Sequence, residues 1–207
     1  MSKRNSFESE NVSDVDEEER DTKKTNSSNK EDSPQSILPN YDLIMAISTT
    51  LNSILDQNKH LDNYKEILKA QSPTVFSGNL IPNISIKDYL LRIQNYANIE
   101  KSTLILSLIY IDRLCQKYKF KINYFNIYKL ILTSMILAIK YNEDEFYSTE
   151  FYAKLGGITK VELNLMEYEF INLINFNLFV QEELYFKYHD LLLNDGNEES
   201  NEDEKDE

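Results

Sequence analysis

Tyr141-Asn-Glu-Asp-Glu-Phe-Tyr147, followed by Tyr152-Ala-Lys-Leu-Gly-Gly-Ile158 and Glu162-Leu-Asn-Leu-Met-Glu167, is the stretch on which the fold turns. It is a polar, aromatic and acidic joint between strongly apolar segments, and it holds the only Gly-Gly pair. Upstream of it, Tyr124–Lys140 carries Leu130, Ile131, Leu132, Met135, Ile136, Leu137 and Ile139. A helix apolar on nearly every side must be enclosed by other helices. The segment from about Lys101 to Lys117 has the same character, through Leu104, Ile105, Leu106, Leu108, Ile109 and Ile111. Two enclosed helices need a surround, and the flanking sequence supplies it.

Before them, Leu43, Ile44, Ile47, Leu51, Ile54 and Leu55 recur at three- and four-residue steps, the stripe of an amphipathic helix beginning near Asn40. A second short helix is expected from about His60 to Ala70, and Pro73, Gly78 and Pro82 mark an extended connection. Ser85 stands three residues before Asp88, a capping pattern that opens a helix over Ile86–Tyr96 with Leu90, Ile93 and Ala97 on one face. After the joint, a helix over Ser148–Leu155 ends at Gly156-Gly157, where glycine supplies a left-handed cap. Thr159 with Glu162 opens the next helix, and a last one runs over Gln181–Leu193. No alternating strand pattern is present. The expected fold is all-α, with short helices around two hydrophobic central ones.

Composition narrows the function. Of 207 residues, 41% are hydrophobic, below the globular norm of roughly 45–50%. The deficit lies at the ends. Residues 1–40 carry ten acidic and six basic side chains, and residues 194–207 carry eight and one, so most of the net −13 sits there and the middle is close to neutral. No basic stripe is available to neutralise phosphates, which argues against nucleic acid as a partner. The longest apolar runs are too short to span a bilayer and no signal peptide is visible, so no membrane association is expected. A single cysteine, Cys115, excludes an internal disulfide and fits a reducing compartment, with a cytoplasmic or nuclear location expected.

Catalysis has little to work with. Two histidines, one cysteine and four glycines provide no phosphate loop, no CxxC and no HExxH, so neither cofactor nor metal is expected. Cys115 and His189 form the only conceivable nucleophile–base pairing, and it would need a buried residue to meet one near the C-terminus. Glu143-Asp144-Glu145 lacks the alternating ligands and central glycine of an EF-hand loop. The chain is not expected to be an enzyme.

The ordered motifs resemble a cyclin box of the P type (P/U type). They are Phe76-Ser-Gly78, Ile84-Ser-Ile-x-x-Tyr-Leu-x-Arg-Ile93, Tyr110-Ile-Asp-Arg113, Phe125-Asn-Ile127, Ala138-Ile-Lys-Tyr141, Asp144-x-Phe-Tyr147, Tyr152-Ala-Lys-x-Gly-Gly-Ile158, Glu162-Leu-Asn164 and Leu165-Met-Glu167. The resemblance covers about residues 75–193. It implies a single five-helix cyclin box over 75–193, preceded by an acidic disordered tail (1–39) and a helical extension (40–74), and followed by an acidic disordered tail (194–207). It also implies a regulatory subunit that binds and activates a cyclin-dependent Ser/Thr protein kinase as a heterodimer. The alternative is a cyclin-fold binding scaffold that works without a kinase.

In the family, a lysine ending the third box helix and a glutamate in the fifth reach the kinase, and Lys140 and Glu167 match those places. Each has a plainer reading as half of a surface ion pair within the domain, worth ~0–1 kcal/mol. Asp144, with Phe146 and Tyr147, would lie near the kinase activation segment, where a carboxylate can occupy an arginine that otherwise awaits a phosphate. Arg92 and Asp112, on adjacent central helices, are expected to form a buried structural ion pair. The Met-Arg-Ala-Ile-Leu-like docking motif of many cyclins is replaced here by Tyr89-Leu-Leu-Arg-Ile93, and no destruction-box motif is evident in the N-terminal tail.

Overall fold

A computed structural model describes residues 39–61, 74–118 and 120–194. Among these residues there are seven helices and no strand: α1 (Tyr41–Lys59), α2 (Ile86–Ala97), α3 (Lys101–Tyr118), α4 (Ile127–Asn142), α5 (Thr149–Gly156), α6 (Lys160–Leu173) and α7 (Glu182–Asn194). The expected terminal tails and most of the expected helix His60–Ala70, residues 62–70, lie outside the described residues.

The two apolar helices form the centre. α3 packs along α4, and every residue from Leu130 to Ile139 is buried. α1 packs on α2 and α7, α6 on α4 and α5, and α7 also on α3. The stripe Leu43, Ile44, Ile47, Leu51 and Leu55 faces inward from α1, whereas Ile54 lies at its edge, 37% exposed. Each fully buried aliphatic side chain of this kind contributes about 1.5–3 kcal/mol. Ser107, Thr133 and Ser134, which interrupt the apolar runs, donate to Leu104 O, Lys129 O and Ile131 O in their own helices. Their hydroxyls are thereby satisfied inside the core.

Capping fixes the ends as the sequence leads one to expect. Ser85 Oγ accepts from Asp88 N at 3.0 Å and donates to the Asp88 carboxylate at 2.6 Å. Ser148 and Thr159 accept from Phe151 N and Glu162 N. The expected start of α4 at Tyr124 is three residues early. Asn123 and Asn126 hold 123–126 in a turn, since Asn126 Oδ1 accepts from Asn123 N and Asn123 Oδ1 from Phe125 N. The two glycines of the joint serve different needs. Gly157 has φ +72° and caps α5, whereas a Cβ on Gly156 would come within 2.2 Å of Leu132 Cδ2.

Candidate functional site

The joint after α4 is where the chemistry concentrates. Lys140 sits in the last turn of α4, a position where a cation complements the helix dipole. Its Nζ lies 2.7 Å and 2.9 Å from the two carboxylate oxygens of Glu167 on α6, and 3.2 Å from Thr149 Oγ1 at the start of α5. One ammonium therefore joins three helices. The side chains are 29% and 13% exposed for Lys140 and Glu167. The structure thus forms the internal pair that one reading of these residues anticipated, at a position still open to solvent.

Beyond Lys140 the chain leaves the helix through Glu143, whose N–H donates to Ile139 O. Glu143 Oε1 accepts from Thr103 Oγ1 at 2.6 Å and from Glu100 N at 3.3 Å. The first residue of the acidic run thereby anchors the joint to the start of α3, where backbone N–H groups lack helical partners and a carboxylate is favoured. Asp144 is exposed and, among the described residues, has no cation within ion-pair distance. Phe146 and Tyr147 are half exposed, as is Tyr141. Tyr147 stacks on Phe151 with ring centroids 4.3 Å apart, and its N–H donates to the hydroxyl of buried Tyr152, whose pKa burial raises. Glu143–Tyr147 face Ala97, Asn98 and Glu100 across a cleft of about 530 Å³. Lys140, Glu167, Asp144, Phe146 and Tyr147 thus belong to one corner, with the first two paired and the other three presented outward.

The expected Arg92–Asp112 ion pair does not form. The buried residues of α2, Ile86, Tyr89, Leu90, Ile93, Gln94 and Ala97, define its inner face, and Arg92 falls outside it and is exposed. Asp112 on α3 accepts instead from the Tyr188 hydroxyl of α7 and from Gln116 Nε2. The two helices follow one another in the chain, yet α2 packs chiefly on α1 and α5 and α3 on α4 and α7, so the outer face of α2 turns Arg92 to water while Asp112 meets α7.

Sequence reasoning also missed a clamp. Tyr110, Arg113 and Lys117 share one face of α3 and reach main-chain carbonyls at the end of α6 and in the α6–α7 connection. Tyr110 Oη donates to Leu178 O at 2.9 Å, Arg113 to Asn177 O at 2.6 Å and Phe179 O at 2.9 Å, and Lys117 to Leu173 O at 3.0 Å. Inside this loop Asn175 and Phe176 both adopt φ 56°, which is strained for a phenylalanine. Phe176 and Phe179 project into solvent. The i, i+3, i+7 spacing was visible in the sequence, but the acceptors are carbonyls, which leave no residue-type mark.

Cys115 and His189 make no dyad. His189 Nδ1 lies 3.0 Å from Asp190 Oδ1, and burial, with Asp112 nearby, pushes the Cys115 thiol up to about 12. A thiol held protonated in this way is a poor nucleophile.

An all-α box of helices with a charged corner of this geometry defines a class that comparison makes specific. The cyclin family model matches residues 6–178. The chain is 37% identical over 147 residues to Cyclin-U4-3 of Arabidopsis thaliana, covering 70% of this chain and 64% of that protein. It is 32% identical over 173 residues to PHO85 cyclin-7 of Saccharomyces cerevisiae (74% and 61%), and 40% identical over 121 residues to the PHO85 cyclin-like protein psl1 of Schizosaccharomyces pombe (58% and 50%). The matches thus span between half and just under two thirds of these relatives' lengths. The chain belongs to the cyclin family, among its single-box P/U-type members.

Proposed function

We propose that this chain is a regulatory subunit that binds a cyclin-dependent Ser/Thr protein kinase as a heterodimer and biases it toward its active conformation. The observation that carries the reading is the corner itself: a preformed Lys140–Glu167 pair joining α4, α5 and α6, flanked by the outward-facing Asp144, Phe146 and Tyr147. The names of the yeast relatives, PHO85 cyclin-7 and PHO85 cyclin-like protein psl1, support it.

The mechanism follows from population shift. A protein kinase needs its glutamate-bearing helix docked so that the glutamate pairs with the ATP-binding lysine. A partner that binds the docked arrangement better raises its population by that difference in affinity, and the phosphoryl transfer remains the kinase's own. The ordered pair lowers the entropy cost of presenting Lys140 and Glu167, since neither long side chain must be immobilised on binding. Asp144 supplies a carboxylate that has no internal cation among the described residues. It would occupy a kinase arginine cluster that otherwise awaits a phosphate, because guanidinium binds either group bidentately.

The test is co-purification of the tagged full-length chain from its native source, followed by kinase assay. A cyclin-dependent kinase should be recovered with the unaltered chain and lost with Lys140→Ala/Glu167→Ala. Asp144→Asn should leave recovery intact and lower the activity of a kinase unphosphorylated on its activation segment. Recovery of other proteins but no kinase would turn the reading toward a cyclin-fold scaffold.

A further inference from the structure

On another part of the molecule, α1, α3, α7 and the α3–α4 connection enclose a second concavity of about 420 Å³. Its walls are mainly apolar: Leu51 and Ile54 from α1, Ile111 from α3, Ile122 from the connection, and Leu191 and Leu192 from α7. Ile54 and Leu191 are 37% and 52% exposed, so the concavity opens to solvent past greasy edges. Volume and lining fall in the range of sites that take small organic ligands, which typically combine apolar walls with a few placed polar groups.

The polar group here is the Asp112 carboxylate. Both of its hydrogen bonds, from Tyr188 and Gln116, go to Oδ2. Among the described residues Oδ1 has no donor, and no cation lies within ion-pair distance of Asp112. A half-buried carboxylate among aliphatic side chains is costly unless something compensates its charge. The other charge on the lining is Lys121. The remaining polar side chains nearby are turned to the protein: Thr50 Oγ1 donates to Ala46 O and Asn58 Nδ2 to Ile122 O.

We propose that this concavity is a binding site for a small amphipathic amine. The apolar body would lie against Ile54, Ile122 and Leu191, and the ammonium would donate to Asp112 Oδ1. A matching alcohol can fill the same walls but cannot offset the carboxylate's charge, and a matching carboxylate is repelled by it. The site requires no kinase and stands or falls apart from the reading above.

The test uses the full-length chain and three probes that share one body: 4-phenylbutylamine, 4-phenylbutan-1-ol and 4-phenylbutanoate. Binding is read by two-dimensional amide NMR titration at neutral pH. The amine should bind at least about ten-fold tighter than the alcohol, the ratio expected for one charge-assisted hydrogen bond, and the carboxylate weakest of all. Shifted amides should cluster around Leu51, Ile54, Ile111, Ile122 and Leu191. Asp112→Asn keeps an acceptor for Tyr188 and should reduce the amine's advantage to within about two-fold. Leu191→Lys, at an exposed position that the fold tolerates, should do the same by placing a cation at the rim. Equal binding of the three probes, no amine binding at millimolar concentration, an amine preference that survives both variants, or shifts elsewhere on the chain would each overturn the assignment.

Discussion

Breaking the Lys140–Glu167 pair is the perturbation whose cost the structure defines best. Exposed pairs contribute about 0–1 kcal/mol, and removing one partner of a fully buried pair costs about 3–5 kcal/mol. This pair lies between, because the side chains are 29% and 13% exposed. Lys140→Ala leaves the less exposed partner, Glu167, without its cation and also removes a favourable charge from the end of α4, so about 2 kcal/mol of destabilisation is expected. Glu167→Gln should cost less, about 1 kcal/mol, because the Lys140 ammonium can turn to water on its flexible stem. The double variant should show a coupling energy of about 1 kcal/mol. Urea unfolding of the four proteins, followed by far-ultraviolet circular dichroism, provides these numbers from the midpoints at unchanged slope. Additive single effects, or a larger cost for Glu167→Gln than for Lys140→Ala, would refute the reasoning that burial of the carboxylate sets the magnitude.

Other consequences can be checked with the same preparation. Arg113→Ala should speed amide exchange across residues 174–180 and cost about 1–2 kcal/mol, and Arg113→Lys should restore only part of this, since one ammonium cannot reach both Asn177 O and Phe179 O as the fork does. Cys115 should resist iodoacetamide at pH 8 in the folded chain by roughly three orders of magnitude relative to the unfolded chain, as its thiol is held near 12 instead of 9. The raised value means the native state keeps this proton while the unfolded state loses it. The Cys115 contribution should therefore hold below about pH 9 and be lost as pH rises from 9 toward 12, and Cys115→Ala should remove that share of the alkaline decline, leaving the part set by the buried tyrosines whose pKa values are also raised. Gly156→Ala should cost about 1–3 kcal/mol by crowding Leu132, and Gly157→Ala about 1–2 kcal/mol through its left-handed backbone; equal tolerance of both in thermal melts would contradict the division of labour.

The helices were legible because their signals are local. Apolar periodicity marked α1, near-continuous apolar runs marked α3 and α4, and Ser85 with Asp88 and Thr159 with Glu162 marked two helix starts to the residue. The corner was legible only through family resemblance, since nothing in the composition of Lys140 or Glu167 announces that residues 27 positions apart in sequence come to 2.7 Å. What was missed depends on long-range partners of ordinary type. Asp112 takes its proton donor from Tyr188, 76 residues away, and Arg113 takes carbonyls more than 60 residues away. Nothing in the run Glu143-Asp144-Glu145 sets Glu143 apart, yet its neighbours in space, Thr103 and Glu100, make it the fastening of the joint.

The central claim is tested most directly by reconstitution. A purified cyclin-dependent kinase recovered with this chain would be stripped of it and assayed for substrate phosphorylation as the full-length chain is added back. Activity that rises saturably to a one-to-one ratio, and fails to rise with folded Lys140→Ala/Glu167→Ala, is the predicted result. A chain that binds no such kinase, or binds it and leaves its activity unchanged, would contradict the account.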